Sequence, residues 1–259
     1  NQRRSWYRQK AANVGLGWCQ EPYFAWNILY HLLVAERLNL NMQESISDGA
    51  IGASGGDWST YNGYYPVWRS DGGAASSHGG GTVVAIPGDP NAADIRHGEV
   101  PLEVQDWGDG TLTLNTQMAI MWHIRDPWGH VWKFKDGLNI HNSSELGARA
   151  FACKDPASFA DDTESGYELL GNIAENDGYV SKFLEGHMLP TEVSGGSSAH
   201  VGDYHYSYYD NDPNSGWRVS YAGGALRLGS HAGPAFFSLA YSSTIDTPIL
   251  GARLCKTFE

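Results

Sequence analysis

Glycine constrains this chain more than any other residue, occupying 32 of its 259 positions, about 12% against a usual ~7%. Each glycine inside a helix costs about 1 kcal/mol relative to alanine, so this density favours short strands joined by turns. The 10 Trp and 14 Tyr add bulk that strands and surfaces can use. One segment escapes the glycine texture. From Pro22, which suits a first helical position, Tyr23, Trp26, Tyr30 and Leu33 recur at helical spacing among Phe24, Ile28, Leu32 and Ala35. This predicts a helix from about Pro22 to Leu38, apolar over most of its circumference and therefore core.

Beyond Asp48 the chain changes character. Gly and Ser dominate residues 49–56 and 71–81, and strand-like runs stand at Thr82–Ile86, Val100–Val104 and Thr111–Leu114. Asp106–Gly110 (DWGDG) is a strong turn signal. The polar stretch from Asp155 to Gly171 is expected to hold a short helix near Tyr167–Leu170. Past Trp217 the chain is Gly- and Ser-rich yet too aromatic for a flexible linker. No repeat and no linker divides the chain, so residues 1–259 read as a single domain with residues 1–20 as a lead-in.

Charge and cysteine usage narrow the function classes. A formal net charge of −12 repels nucleic acid and anionic membrane alike. No apolar run approaches the ~18 residues of a membrane span, so no membrane insertion is expected. Asn1–Lys10 carries basic residues with no apolar core after them, unlike a signal peptide. With no initiator Met, the chain is expected to be part of a longer protein. Cys19, Cys153 and Cys255 are widely spaced with no CxxC pattern. They read as three buried thiols, with a single bridge left open.

Two segments carry a family likeness. Gly129-x-Val131-Trp132-x-Phe134 resembles the G-N-V-W-E-W segment of formylglycine-generating-enzyme-like domains, a branch of the C-type lectin fold. Trp217–Gly224 followed by Gly251-Ala252-Arg253-Leu254 resembles the R-V-x-R-G-G-S-W … G-F-R ending of the same fold. Gly216–Val219, Gly223-Gly224, Ala232-Gly233 and Gly251–Leu254 are closer still to phage tail-fibre adhesins and to variable proteins diversified by retroelements. The resemblance implies an α+β C-type-lectin-like fold with short antiparallel strands, long Gly-rich loops and a core N-terminal helix. Gly129, Val131, Trp132, Trp217, Gly223, Gly224, Gly251 and Arg253 would form its scaffold, with Val219 and Leu254 as further core anchors.

In such systems adenines of a template are mutated, and the accessible products exclude Lys, Glu, Gln, Trp and Met. The 38-residue window Arg218–Cys255 contains none of the five, where chain-average frequencies would place about five or six. Gly-rich, half-buried strands also lack charged residues, so the bland reading stays open. On this resemblance residues 217–255 form a variable ligand-display region. Its expected contact positions are Tyr221, Ala222, Arg227, His231, Phe236, Phe237, Ser238, Tyr241, Ile245, Asp246 and Pro248. Their mixture of aromatic, small and polar types suits a paratope. If Phe236 and Phe237 lie on a strand, one ring faces outward. Tyr204, Tyr206 and Tyr208 alternate, and with Tyr209 they form a rim that either extends the ligand surface or packs against a neighbouring subunit.

Asp210–Gly216 resembles the start of a Ca²⁺ loop but lacks the downstream bidentate Glu, and an Asx-rich turn is the preferred reading. His200, Asp203 and His205 make a His/Asp/His set, but on a strand only Asp203 and His205 share a face, and a polar, aromatic rim is preferred over a transition-metal site. His123, His130 and His141 read as structural. No cofactor and no metal are therefore expected. Enzyme signatures are missing: no Gly-x-Ser-x-Gly elbow, no phosphate loop, and no late cysteine pair of the formylglycine-generating kind. The resemblance implies a homotrimeric adhesin at a phage tail-fibre tip, a virion component contacting a host-cell surface protein or glycan. The alternatives are a bacterial surface or secreted variable protein, and a formylglycine-generating-like or polysaccharide-cleaving enzyme.

Overall fold

The computed structural model describes residues 2–42, 97–102, 116–125, 127–129, 132–196, 199–207, 216–224, 231–246 and 250–257; for 97–102, 116–119 and 125 only the backbone is described. It is a mixed α+β fold. The expected strands at Thr82–Ile86 and Thr111–Leu114, the DWGDG turn and the Asp210–Ser215 loop lie outside these residues.

The chain opens with helix α1 (Arg4–Ala12), strand β1 (Trp18–Gln20) and helix α2 (Tyr23–Arg37). The expected lead-in is therefore structured. Helix α1 escaped a search for apolar periodicity because its only buried residues are Arg4 and Ala11. Helix α2 matches its predicted span. Pro22 sits at its N-cap in extended conformation, one position earlier than expected, and Leu38 closes it in the left-handed region (φ 53°). Tyr23, Trp26, Asn27, Tyr30 and Leu33 form its buried stripe. Ile28 and Leu32 are half exposed, so the helix is core on one face only.

Strands β2 (His97–Leu102), β3 (Thr116–Met121) and β4 (Ile124–Arg125) make a three-stranded antiparallel sheet. The main sheet is built from β5 (Trp132–Ser143), β6 (Gly147–Ala152), β7 (Glu168–Asn172), β8 (Gly178–Phe183), β9 (Pro190–Val193), β10 (Tyr204–Tyr206), β11 (Gly216–Ala222), β12 (Phe237–Ser238) and β13 (Leu250–Gly251). Its order is β7-β6-β5-β11-β12-β10-β8-β9, with β13 joining β5 in parallel. The helix expected near Tyr167–Leu170 is β7. Gly171, at φ 150° and with Leu184 against the place of a Cβ, is one of its residues, and its pairing with β6 decides the local conformation. A last strand, β14 (Leu254–Lys256), pairs antiparallel with β1.

Strand β5 is the axis of the fold and is buried on both faces. Gly137 (φ 71°) interrupts its alternation as a bulge does. On one side Lys135, Leu138 and Ile140 meet α2: Lys135 Nζ lies 3.6 Å from the Trp26 ring centroid, and the two apolar residues share a core with Tyr23, Trp26 and Leu33. On the other side Phe134, Asp136 and Asn139 meet α1. Arg4, fully buried, donates to Asp161 Oδ1 (2.7 Å), the Leu138 carbonyl (2.7 Å) and Asn139 Oδ1 (2.5 Å). Arg8 forks onto both oxygens of Asp136 at 2.7 Å. Each burial of a large apolar side chain contributes roughly 1.5–3 kcal/mol, whereas this ionic lock chiefly fixes where α1 docks.

Candidate ligand-binding face

A second, smaller core lies on the α1 side of β5. It comprises Trp132, Phe134, Val219, Tyr221, Ala232, Phe236 and Leu250, with Tyr7, Tyr204, Tyr206 and Ile245 partly buried around it. The antiparallel pairing of β11 with β5 sets Tyr221 opposite Phe134. The Trp132 ring meets Tyr221 edge-on at 4.9 Å and Phe236 at 4.5 Å. These contacts sit in the favourable range for aromatic pairs.

The glycine pair after β11 shapes the outer wall. Gly223 (φ 95°) would place a Cβ 3.1 Å from Trp128 Cα, and Gly224 (φ 80°) one 2.8 Å from Ala232 and 2.9 Å from Phe236. Both backbone angle and space exclude a side chain there. Gly129 donates its N–H to the Gly223 carbonyl at 2.9 Å, which joins the two sequence motifs in space. Trp132 is buried, Trp217 is half-buried against His141 and Phe151, and Gly251 pairs with Lys133 on β5. Arg253 is half-buried, and its carbonyl accepts the Glu21 N–H. Val131 lies outside the described residues. Leu254 is 54% exposed and is no core anchor, because among the described residues β14 pairs with β1 alone.

Several expected contact positions are not displayed. Tyr221, Ala222, Phe236, Phe237 and Ser238 are all buried. Phe236 and Phe237 are both at 0% exposure, against the expectation that one ring faces out. The alternation rule fails because β12 spans only Phe237–Ser238, while Phe236 sits in a turn closed by its N–H on the Gly233 carbonyl. Ser238 Oγ donates to Tyr221 Oη at 2.8 Å inside the core. Arg227 and Pro248 lie outside the described residues. The accessible remainder is His231, Tyr241, Ile245 and Asp246, with Tyr241 45% exposed.

The surface over the second core is aromatic. Tyr204 and Tyr206 share one face of β10, with His205 buried on the other. Tyr204 stacks on His231 at 4.3 Å and 18°, and Tyr206 lies 5.0 Å away. Tyr179 of β8, paired with Tyr204 across the sheet, meets Tyr204 edge-on at 5.1 Å and His231 at 5.4 Å. Tyr208 and Tyr209 lie outside the described residues. The rim and the C-terminal stretch, separate in sequence, thus form one half-buried cluster. Tyr179 escaped sequence reading because nothing in its spacing links it to Tyr204; only the β8–β10 register does. Burial lowers the pKa of His231 and raises that of Tyr204, with the Asp177 charge adding to the second, so burial favours the neutral form of both rings.

Asp203, behind this face, accepts the Ala235 N–H at 2.7 Å, and Gly233 approaches it too closely for any Cβ. It is therefore the tether of the His231–Phe236 loop. His200 is exposed and away from that role. An open depression of about 370 Å³ is lined by Gln2, Arg3, Ser5, Trp6 and Asp246. Among the described residues no group of three or more His, Cys, Asp or Glu is placed to hold a metal ion, and no helix is long and apolar enough to cross a membrane. In comparisons with known proteins, no family model and no curated protein matches this chain.

Proposed function

We propose that the chain is a ligand-binding module of C-type-lectin-like type, an adhesin whose contact face is the aromatic cluster of Tyr179, Tyr204, Tyr206 and His231, extended by Tyr241, Ile245 and Asp246. The observation that carries the reading is the stacking of Tyr204 on His231, which joins the tyrosine rim to the C-terminal stretch of restricted alphabet. Rigid rings give large contact area with few rotatable bonds, and their hydroxyls supply direction. The glycine-framed wall and the Asp203 tether hold this surface over a packed core, so exposed positions can change without disturbing it.

The resemblance extends the reading to a phage tail-fibre tip that binds a host-cell surface protein or glycan. Homotrimeric display there would compensate for weak single-site affinity. The same face would serve a bacterial surface protein. The test is retention of fluorescently labelled protein on a panel of bacterial cell envelopes. Tyr204→Ala should lower retention at least tenfold on whichever envelope binds, with the melting temperature within a few degrees of wild type. Unchanged retention in that variant would remove the aromatic cluster as the contact face.

A further inference from the structure

Strands β1 and β14 place Cys19 directly opposite Cys255. The Glu21 N–H to Arg253 carbonyl bond (2.9 Å) and the Thr257 N–H to Gly17 carbonyl bond (2.8 Å) lie two rungs to either side. By antiparallel alternation the cysteines form a hydrogen-bonded pair, with Cα atoms about 5.5 Å apart. That separation falls inside the roughly 4.4–6.8 Å range of disulfides. Directly opposed residues also point to the same face of the strand pair. The two thiols lie close enough for each to influence the ionisation of the other.

We propose that Cys19 and Cys255 are a disulfide site that covalently joins the first strand of the fold to the last. Cys153 is not a competing partner: its thiol donates to the Asp155 carbonyl at 3.5 Å, in its own loop. Burial pushes Cys19 up to about 11, with Cys255 adding to the shift, and burial followed by the Glu21 charge raises Cys255 as well. Neither thiol is therefore a ready nucleophile at neutral pH, which fits a structural bond and not a catalytic or metal-binding pair.

The oxidant is a low-molecular-weight disulfide, RS–SR. Cys255 is the more exposed of the two and reacts first. Its thiolate attacks one sulfur of RS–SR, and RS⁻ leaves. The Cys19 thiolate then attacks Cys255 Sγ and displaces the second RS⁻. The two thiol protons end on two RSH molecules, and the two electrons reduce the donor. The bond closes nearly the whole chain into one ring, including the main sheet and the aromatic face. It acts by restricting the unfolded chain.

The experiment incubates wild type with oxidised glutathione at pH 8.5, blocks remaining thiols in denaturant, and reads intact mass and tryptic peptides. The expected result is one blocked thiol, at Cys153, a peptide linking Cys19 to Cys255, and a melting temperature roughly 5–10 °C above the reduced form. Cys153→Ser should behave identically, and Cys255→Ser should lose both link and shift. Three blocked thiols in oxidised wild type, or a link through Cys153, would overturn the proposal, and neither result depends on how a variant folds.

Discussion

His205 shows what a single side chain can cost and where. It is fully buried on the inner face of β10, with Nε2 in contact with the Ala174 carbonyl at 3.1 Å. Burial, the dominant cause, holds its pKa down to about 4. In the unfolded chain it takes a proton near pH 6.5. Between these values the unfolded state binds more protons, so stability falls as pH drops from 6.5 to 4, by about 3 kcal/mol in all. Urea midpoints at pH 7 and pH 4.5 should diverge in wild type and converge in His205→Gln; equal divergence in both would assign the acid sensitivity elsewhere. The sequence showed the alternation that sets His205 against Tyr204 and Tyr206. It could not show which face was dry, because both carry large, amphipathic rings.

Helices α1 and α2 differ in how far they could be read, for a physical reason. Helix α2 is fastened by Tyr23, Trp26, Tyr30 and Leu33, and apolar periodicity is visible in any window. Helix α1 is fastened by Arg4 and Arg8 on Asp136 and Asp161, partners more than a hundred residues away. Such a lock has no local signature. Removing Arg4 takes its donors from the Leu138 carbonyl and Asn139 Oδ1 and leaves Asp136 and Asp161 to Arg8 alone, a loss on the order of 3 kcal/mol. Arg4→Ala should therefore lose about that much in equilibrium denaturation, and Arg4→Lys should recover little, since a lysine cannot span Asp161, the Leu138 carbonyl and Asn139 together. A loss below 1 kcal/mol would mean that α1 is not docked in solution. The short β12 teaches the complementary lesson. Two residues are too few for an alternation rule: Phe237 opens β12, Phe236 sits in the turn before it, and both rings are buried.

At the scale of the molecule, the mix of strands and helix was legible in the glycine-rich texture around one apolar-periodic segment, and the glycine frame at Gly223 and Gly224 in the resemblance of its motif. The assembly of the aromatic face was not, because it depends on registers between β8, β10 and β12. That assembly changes which positions can vary. If the proposed diversification operates, population sequencing of the gene's 3′ end should find substitutions at His231, Tyr241, Ile245 and Asp246, with Tyr221, Phe236 and Phe237 constant; a uniform 3′ end would overturn it. The pairing of β1 with β14 has one more consequence, a mechanical one. Trp18 and Lys256 meet at the same end of the strand pair. Tension between the segments that lead away from them would peel the pair one rung at a time, the compliant direction for two strands, with Cys19 and Cys255 as the third rung after Gly17–Thr257 and Trp18–Lys256. A covalent bond there would arrest the tear after two steps, so the first and last strands would stay joined under tension across them.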